Sequence, residues 1–274
     1  MYLKPLTITA CMLTLAAPVH AQSATQINDL VEALSLNRIV EIMREEGLAG
    51  SDTLAENMLG GVPPEWNEIM QEVYDYDRMQ AAMTQGLEAV LEGQDPQPIT
   101  AFFTSELGAT IIGLELSARE AFMEPEIEEM TELYSQRLPD DQPERYALLQ
   151  EFISVNDLID SNVVGGLNSN LAFFEGLAAG GMMDPDVTQD QLLRQIYEQE
   201  PDIRRDTTIW LDAFLAMAYR PLSDEEINLY LDFSRSEHGQ LMNKVLFEAF
   251  DGMFADISHG LGLAVARFGA TEEL

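Results

Sequence analysis

The chain has 274 residues, of which 48 are Asp or Glu and 14 are Lys or Arg, so its formal net charge is −34. A surface this negative repels the phosphates of nucleic acids and anionic lipid headgroups, which excludes nucleic acid as a partner class. Hydrophobic residues make up 46% of the chain. That share excludes an intrinsically disordered protein and predicts a folded, soluble protein with an acidic surface.

The N-terminus has the pattern of a secretory signal peptide over residues 1–21. Lys4 supplies the positive charge, residues 6–17 form a short apolar run, and a Val-His-Ala sequence at 19–21 matches a small-x-small cleavage site. The alternative is a lipoprotein box that ends at Cys11, with a lipid anchor on that cysteine. Because the apolar run continues past Cys11, we favour ordinary cleavage. We therefore predict an exported protein, located in the periplasm of a Gram-negative bacterium.

Cys11 is the only cysteine in the chain. Cleavage after residue 21 would remove it, so the mature protein would have no disulfide and no thiolate metal site. We expect the hydrophobic core alone to hold the fold together.

Apolar residues recur every three or four positions, which predicts helices. The first predicted helix spans residues 27–47, with Gly47 as its stop. The second spans residues 64–93 and ends at Gly93.

Further helical runs cover residues 186–221, where Pro201 opens the second run and Pro221 marks the next turn. No alternating strand pattern is evident, so the predicted fold class is all-α. No segment after the signal peptide approaches the 18 or so consecutive apolar residues of a membrane span.

Short fragments recur in the same order in the two halves of the chain, which predicts an internal duplication. We predict two tandem copies of a multi-helix unit, residues 22–137 and 138–274, packed as a pseudo-symmetric helical bundle. The proline-bearing segment 137–146 forms the junction, and the glycine-rich segment 162–170 accounts for the extra residues of the second copy. The matched fragments are Ser35–Glu41 with Ser154–Asp160, Glu46–Ala49 with Glu175–Ala178, Phe102–Gly108 with Phe233–Gly239, and Glu120–Phe122 with Glu248–Phe250.

The clearest repeated element is Phe-x-x-Ser-Glu-x-Gly, which we interpret as a structural joint between two helices. In the second copy, Ser236, Glu237 and His238 are the residue types of a nucleophilic triad. Neighbours on a helix point in different directions, however, and the first copy has Leu107 in place of the histidine. The pattern favours a helix cap and a closely packed glycine over catalysis. The joint residues are Phe102, Ser105, Glu106 and Gly108 in the first copy and Phe233, Ser236, Glu237 and Gly239 in the second.

Upstream of the second joint, Ser223 and Glu226 have the spacing of a capping box. A serine followed three residues later by a glutamate predicts the start of a helix. The apolar-periodic run that follows extends to Phe233.

The acidic helix start at 223–226, the aromatic Phe233, and the Ser236 and Gly239 pair also carry a family resemblance. Together they resemble an exported bacterial helical family, domain of unknown function 2059. The resemblance covers residues 206–260, with a weaker echo over residues 79–123. It implies an exported α-helical protein and implies no particular reaction.

In this region the family typically has a Phe-Tyr pair followed by Ser-Pro-x-Gly. Here Ser234 stands at the position of the tyrosine and Glu237 at that of the proline. The match to the family pattern is therefore partial.

Metal-ligand patterns are weak. His238 and His259 are the only histidines after the signal peptide, and their spacing matches no zinc motif. The segment 184–190 has acids at positions 1, 3 and 7 of a calcium-loop pattern, but it has no glycine at position 6. We interpret it as a turn into the next helix, capped by Asp186 or Thr188, and predict no metal and no cofactor.

The leading functional hypothesis is a non-enzymatic binding or scaffold protein of the bacterial cell envelope. A groove between two pseudo-symmetric halves would suit a peptide or an apolar ligand, and the expected partner is an envelope protein or peptide. The alternatives are a carboxylate- or metal-dependent hydrolase and a calcium-responsive binding protein. A carboxylate buried between helices would favour the hydrolase.

Overall fold

The computed structural model describes residues 19–183 and 186–269, with side chains described from residue 24 onward. Over these residues every regular element is a helix and no strand is present, which confirms the predicted all-α fold. Most of the predicted signal peptide, including Cys11, lies outside the described residues. In chain order the helices are α1 (Val19–Ala33), α2 (Leu36–Leu59), α3 (Trp66–Val73), α4 (Tyr76–Leu91), α5 (Gln97–Phe103), α6 (Glu106–Ala121), α7 (Pro125–Ser135), α8 (Leu138–Asp141), α9 (Pro143–Val155), α10 (Leu158–Ala179), α11 (Gln189–Tyr197), α12 (Glu200–Ala218), α13 (Asp224–Arg235) and α14 (Glu237–Gly269).

The first predicted helix is in fact two helices, and the second of these continues beyond the predicted stop. Ser35, between α1 and α2, has a φ of 51°, a left-handed conformation that few residues other than glycine adopt. Gly47 lies inside α2, where an added Cβ would overlap the ring of Tyr74. This glycine therefore makes room for an aromatic side chain. The helix ends at Gly60, with a φ of 72°.

The second predicted helix is also interrupted. Asp75 separates α3 from α4, and its carboxylate accepts a hydrogen bond of 2.9 Å from the backbone N–H of Arg78. The predicted end at Gly93 is confirmed, since this glycine follows α4 with a φ of 75°. Pro201 lies in the first turn of α12 and Pro221 in the turn after that helix, as predicted.

The buried apolar side chains form one continuous core with contributions from both halves of the chain. The long helix α14 lies at its centre and packs on α10 and α4, as well as on α2, α3, α5 and α13. Small residues allow the closest of these contacts. A Cβ on Gly176 or on Gly262 would collide with the backbone of the other helix, and one on Gly86 would lie 2.6 Å from the Cα of Ala249.

The packing partners of the helices recur along the chain. Helix α1 packs on α5 and α9 packs on α13, while α2 packs on α4 and α10 packs on α12. Helix α6 packs on α2 and on α12, and α14 packs on α10 and on α4. In this pattern α1–α6 correspond to α9–α14, with α7 and α8 between them. We call α1–α6 the first set of helices and α9–α14 the second set. Helices α6 and α14 each contact helices of both sets.

Some of the matched sequence fragments do not occupy equivalent places in these helices. Asp157, with a φ of 49°, precedes α10 as Ser35 precedes α2. The sequence match instead pairs Ser35 with Ser154, which lies inside α9. The glycine-rich segment 162–170 belongs to α10, which has 22 residues against 24 in α2, so it is not an insertion relative to that helix.

Within the described ranges, no helix taken alone has both the length and the apolar character needed to cross a membrane. Helices α5 and α6 meet these criteria only as a pair, with a bend of 75° between them.

Candidate functional site

A cavity of about 890 Å³ opens between the two sets of helices. Its wall takes residues from α2 and α6 of the first set, from α7, and from α9, α10, α12, α13 and α14 of the second set. The volume lies in the range of ligand pockets in proteins. Most of the wall is apolar, and it is rich in rings: Phe152, Trp210, Phe214, Tyr219, Tyr230, Phe247, Phe250 and Phe254.

Helix α12 supplies the largest flat aromatic surface of the cavity. Trp210 and Phe214 are four residues apart, so both project from the same face of the helix. Their rings stack, with centroids 4.8 Å apart and an interplanar angle of 10°. Phe122, at the end of α6, meets both rings edge-on, at 6.0 Å and 5.7 Å. The stack is therefore supported from behind and is held in one orientation.

Glu115 is the most unusual polar residue of the wall. It lies on α6, and its Oε1 accepts a hydrogen bond of 2.6 Å from the hydroxyl of Tyr219. Burial raises the pKa of Glu115 to about 7, although the hydrogen bond from Tyr219 opposes the rise. The carboxyl group is therefore close to half-ionised at neutral pH. Burial also raises the pKa of Tyr219 and of its neighbour Tyr230 well above the ordinary value, so both phenols stay neutral.

Arg145 holds Tyr219 in place from α9. Its guanidinium donates to the backbone carbonyl of Tyr219 and, at 2.7 Å, to that of Leu222. It also forms a 2.6 Å ion pair with Asp224 at the start of α13. The turn that contains Pro221 is thereby fixed, because both of its ends are tied to one side chain.

The charges around the cavity are predominantly negative. Besides Glu115, the wall includes Glu128 and Glu132 on α7, Asp206 on α12 and Asp251 on α14. Burial, together with the nearby charge of Glu248, raises the pKa of Asp251.

Among the described residues, Arg119 is the only basic side chain of the wall, and it is committed to another carboxylate. Its guanidinium binds both oxygens of Glu46, at 3.1 Å and 2.7 Å. No described basic residue of the wall therefore balances Glu115.

Asn156 adds a hydrogen-bond acceptor without a donor. The residue is only 2% exposed and lies on the cavity wall, just after α9. Its Nδ2 donates to the carbonyl of Phe152 at 3.0 Å, and its backbone carbonyl accepts from Asn243 at 2.6 Å. Its Oδ1 has no partner among the described residues. An unpaired buried acceptor costs about 1–3 kcal/mol, so a donor from a ligand would be stabilising there.

The predicted joint motifs lie away from this wall, where the two sets of helices meet. Ser105 caps α6 and Ser236 precedes α14, and the two have the same local geometry. Each hydroxyl donates to the carbonyl of the motif phenylalanine at 2.6 Å and accepts from the motif glycine N–H at 3.1 Å. Glu106 and Glu237 are the first residues of these two helices. Gly108 and Gly239 are closely packed, because a Cβ on either would overlap the same motif carbonyl.

The two motif phenylalanines contact each other directly. Phe102 and Phe233 stack with ring centroids 3.9 Å apart and an interplanar angle of 8°. The two phenylalanines therefore join the two sets of helices.

The geometry of Ser236 argues against the triad interpretation. Its hydroxyl hydrogen is directed to a backbone carbonyl, and its oxygen accepts a backbone N–H, so both serve the helix start. Ser223 and Glu226 form the predicted capping box at the start of α13, with the Glu226 carboxylate accepting from the Ser223 N–H at 2.7 Å. These hydrogen bonds lower the pKa of Glu226.

Replacing either joint serine by alanine should destabilise the protein by about 1 kcal/mol, because each change leaves a helix N-terminal N–H without its cap. The two losses should be similar, since the geometries match. Urea denaturation of Ser105→Ala and Ser236→Ala measures them. Ser117→Ala is the control, because this exposed mid-helix serine donates only to the carbonyl of Gly113. If either joint variant loses no more stability than the control, the capping role is wrong.

The described residues contain no group of three or more His, Cys, Asp or Glu side chains placed to hold a metal. In the segment with the calcium-loop pattern, residues 184 and 185 lie outside the described residues. Thr188 caps α11 in a capping box with Gln191, as the interpretation of a turn predicted.

Sequence reasoning missed Glu115, Tyr219 and Asn156. A signal for Glu115 was present, since it follows Ile111 and Ile112 at helical spacing and so occupies an apolar position of α6. A carboxylate at such a position is expensive to bury unless it is functional or paired. Asn156 and Tyr219 had no comparable signal, because both lie just after a helix end, where polar residues are common.

A scan against protein-family models, a search of curated proteins and a search of solved structures each gave no match to this chain. The resemblance to domain of unknown function 2059 therefore stays a prediction.

Proposed function

We propose that this is an exported, non-enzymatic binding protein of the bacterial cell envelope that holds an apolar ligand in the cavity between its two sets of helices. The observation that carries the proposal is the cavity itself. It is large, open and lined by rings, and polar side chains are set within a mainly apolar wall, as in a small-molecule site.

The cavity also fits a duplicated architecture, which we propose as its origin. The recurring packing pattern, the matched helix starts at Ser35 and Asp157, and the stacked pair Phe102 and Phe233 support two related six-helix units. A cleft between two such units is assembled from both, as this cavity is. The periplasmic location rests on the signal-peptide pattern of residues 1–21.

A neutral apolar fluorophore, N-phenyl-1-naphthylamine, tests the binding function. We expect its emission to rise saturably with one site per chain. Filling the cavity with Leu246→Trp should weaken binding at least about tenfold, since a ligand and the new ring would compete for the same volume. The control is Leu229→Trp, at a leucine that is 56% exposed and is not part of the wall. No saturable signal, or equal affinity in all three proteins, would refute the site.

A carboxylate-dependent hydrolase is the second candidate, and the pKa of Glu115 at about 7 favours it. A carboxyl group with such a pKa suits general acid–base catalysis at neutral pH. Turnover of nitrophenyl esters or glycosides that Glu115→Gln abolishes would support this function. Equal background hydrolysis by the wild type and the variant would rule it out.

A further inference from the structure

We infer that the ligand of this cavity is a small amphiphilic primary amine, bound as the ammonium ion with its nitrogen between Glu115 and Asn156 and its apolar tail along the aromatic wall. The inference deepens the proposed binding function and rests on it. It names the chemistry of the head group, which the apolar wall alone does not specify.

Charge is the first argument. Five carboxylates line the cavity (Glu115, Glu128, Glu132, Asp206 and Asp251), and its one described basic residue is bound to Glu46. Asp206 is paired with Arg205 at 3.0 Å. An anionic ligand would still meet the like charges of the other four carboxylates, whereas a cation would be attracted to them. Of the five, Glu115 has an uncharged wall next to it, formed by Tyr219 and Tyr230. A cation beside it would form a poorly hydrated, and therefore strong, ion pair.

Hydrogen bonding is the second argument, and it distinguishes a primary ammonium from other cations. Among the described residues, the buried Asn156 Oδ1 has no donor, and the Glu115 carboxylate receives one hydrogen bond, from Tyr219. Both groups are acceptors. An –NH₃⁺ group carries three donors and can satisfy both, but a quaternary ammonium carries none.

Both acceptor residues line the cavity, and a chain of contacts through Phe152 connects them. Asn156 is hydrogen-bonded to the carbonyl of Phe152, one helical turn earlier. The ring of Phe152 in turn contacts Tyr219, the partner of Glu115, at 5.4 Å, and Tyr230 at 4.8 Å.

The aromatic wall is the third argument. The stacked pair of Trp210 and Phe214 is part of the cavity wall and offers an apolar surface for an alkyl tail. Ring faces also attract cations, at about 0.5–2 kcal/mol each. An amphiphilic amine is therefore favoured along its whole length, whereas a neutral lipid gains only from the tail.

Four decyl compounds that differ only in the head group test the inference: decylammonium, decyltrimethylammonium, decanol and decanoate, titrated by calorimetry at about pH 8. We expect decylammonium to bind at least about tenfold more tightly than the other three, as a charge-assisted hydrogen bond implies. Glu115→Gln should remove most of this preference while leaving decanol within about twofold. Asn156→Leu should reduce the preference of decylammonium over decyltrimethylammonium.

The matched control is Glu88→Gln, at an exposed glutamate of α4 that is not part of the cavity wall. It should bind all four compounds as the wild type does. Equal binding of decylammonium and decanol by the wild type would overturn the amine assignment and leave the apolar site standing. Failure of all four compounds, together with the neutral fluorophore, would overturn the proposed function as well. A short apolar peptide with one lysine that binds more tightly than decylammonium would overturn the small-ligand assignment.

Discussion

Replacing Glu115 by glutamine should stabilise the protein relative to the wild type, and the gain should grow as the pH rises from about 5 to about 8. The pKa of this carboxyl is about 7 in the folded protein, against an ordinary value of 4.5 for glutamate. Between these values the folded state binds more protons than the unfolded state, so the wild type loses stability as the pH rises. The full loss is of the order of 3 kcal/mol. Glutamine does not ionise, so the variant avoids this loss of stability.

Chemical denaturation of both proteins across this pH range measures their free energies of unfolding. The difference between the two isolates the effect of Glu115, because the general charge repulsion of an acidic chain is nearly the same in both. The phenols of Tyr219 and Tyr230 lie close to Glu115, and burial raises the pKa of both well above the ordinary value, so they stay neutral in this window.

Glu226→Gln is a control of opposite sign. Hydrogen bonds from Ser223 lower the pKa of Glu226. Its contribution to stability should therefore be present above the ordinary glutamate value of 4.5 and be lost as the pH falls below it. A constant difference between the wild type and Glu115→Gln from about pH 5 to 8 would show that Glu115 is solvated like a surface glutamate.

Gly262→Ala should destabilise the protein by about 3 kcal/mol, although alanine is the better helix former. Gly262 is where α14 crosses α10. A Cβ there would lie 3.0 Å from the Cα of Gly176 and would overlap the carbonyl oxygen of Phe173. Backbone atoms cannot rotate away, so the two helices must separate and core contacts are lost on both. Thermal and urea unfolding measure the loss.

Gly252→Ala is the matched control on the same helix, since an added Cβ there meets nothing within 4 Å. It should be neutral or stabilise the protein by up to about 1 kcal/mol, the difference in helix propensity. If the two variants unfold alike, the close contact of α10 with α14 is wrong.

The sequence was sufficient to predict the helical fold and several of its helix starts and turns. Helical periodicity, the Ser223 and Glu226 box, and the prolines at 201 and 221 depend on residues a few positions apart, and the structure has each of them in place. The breaks at Ser35 and Asp157 could not be predicted. Both residues adopt left-handed conformations that tertiary packing imposes and that their side chains do not signal. Gly47 was misassigned for a related reason, because its neighbour Tyr74 is distant in sequence.

Local sequence patterns could not predict the candidate site. No spacing rule links the three polar residues of the site. One lies on the face of α6 and two lie just after the ends of α9 and α12, namely Glu115, Asn156 and Tyr219. Only its place among the apolar positions of α6 could have drawn attention to Glu115. Fragment matching singled out Phe102 and Phe233, whose rings meet face to face in the structure. It paired Ser35 with Ser154, whereas the residue that shares the left-handed conformation of Ser35 is Asp157.

The central position of α14 has a consequence for how the chain folds. Helices α2 to α5 bury their apolar faces partly against this one helix, which comes from the far end of the described chain. Loops that long must close before those contacts can form, and long-range contacts slow folding. Until α14 docks, the early helices have an incomplete core and expose apolar surface, which is the condition under which chains aggregate. Although every regular element is local, the core of the chain thus depends on contacts between segments that are far apart in sequence.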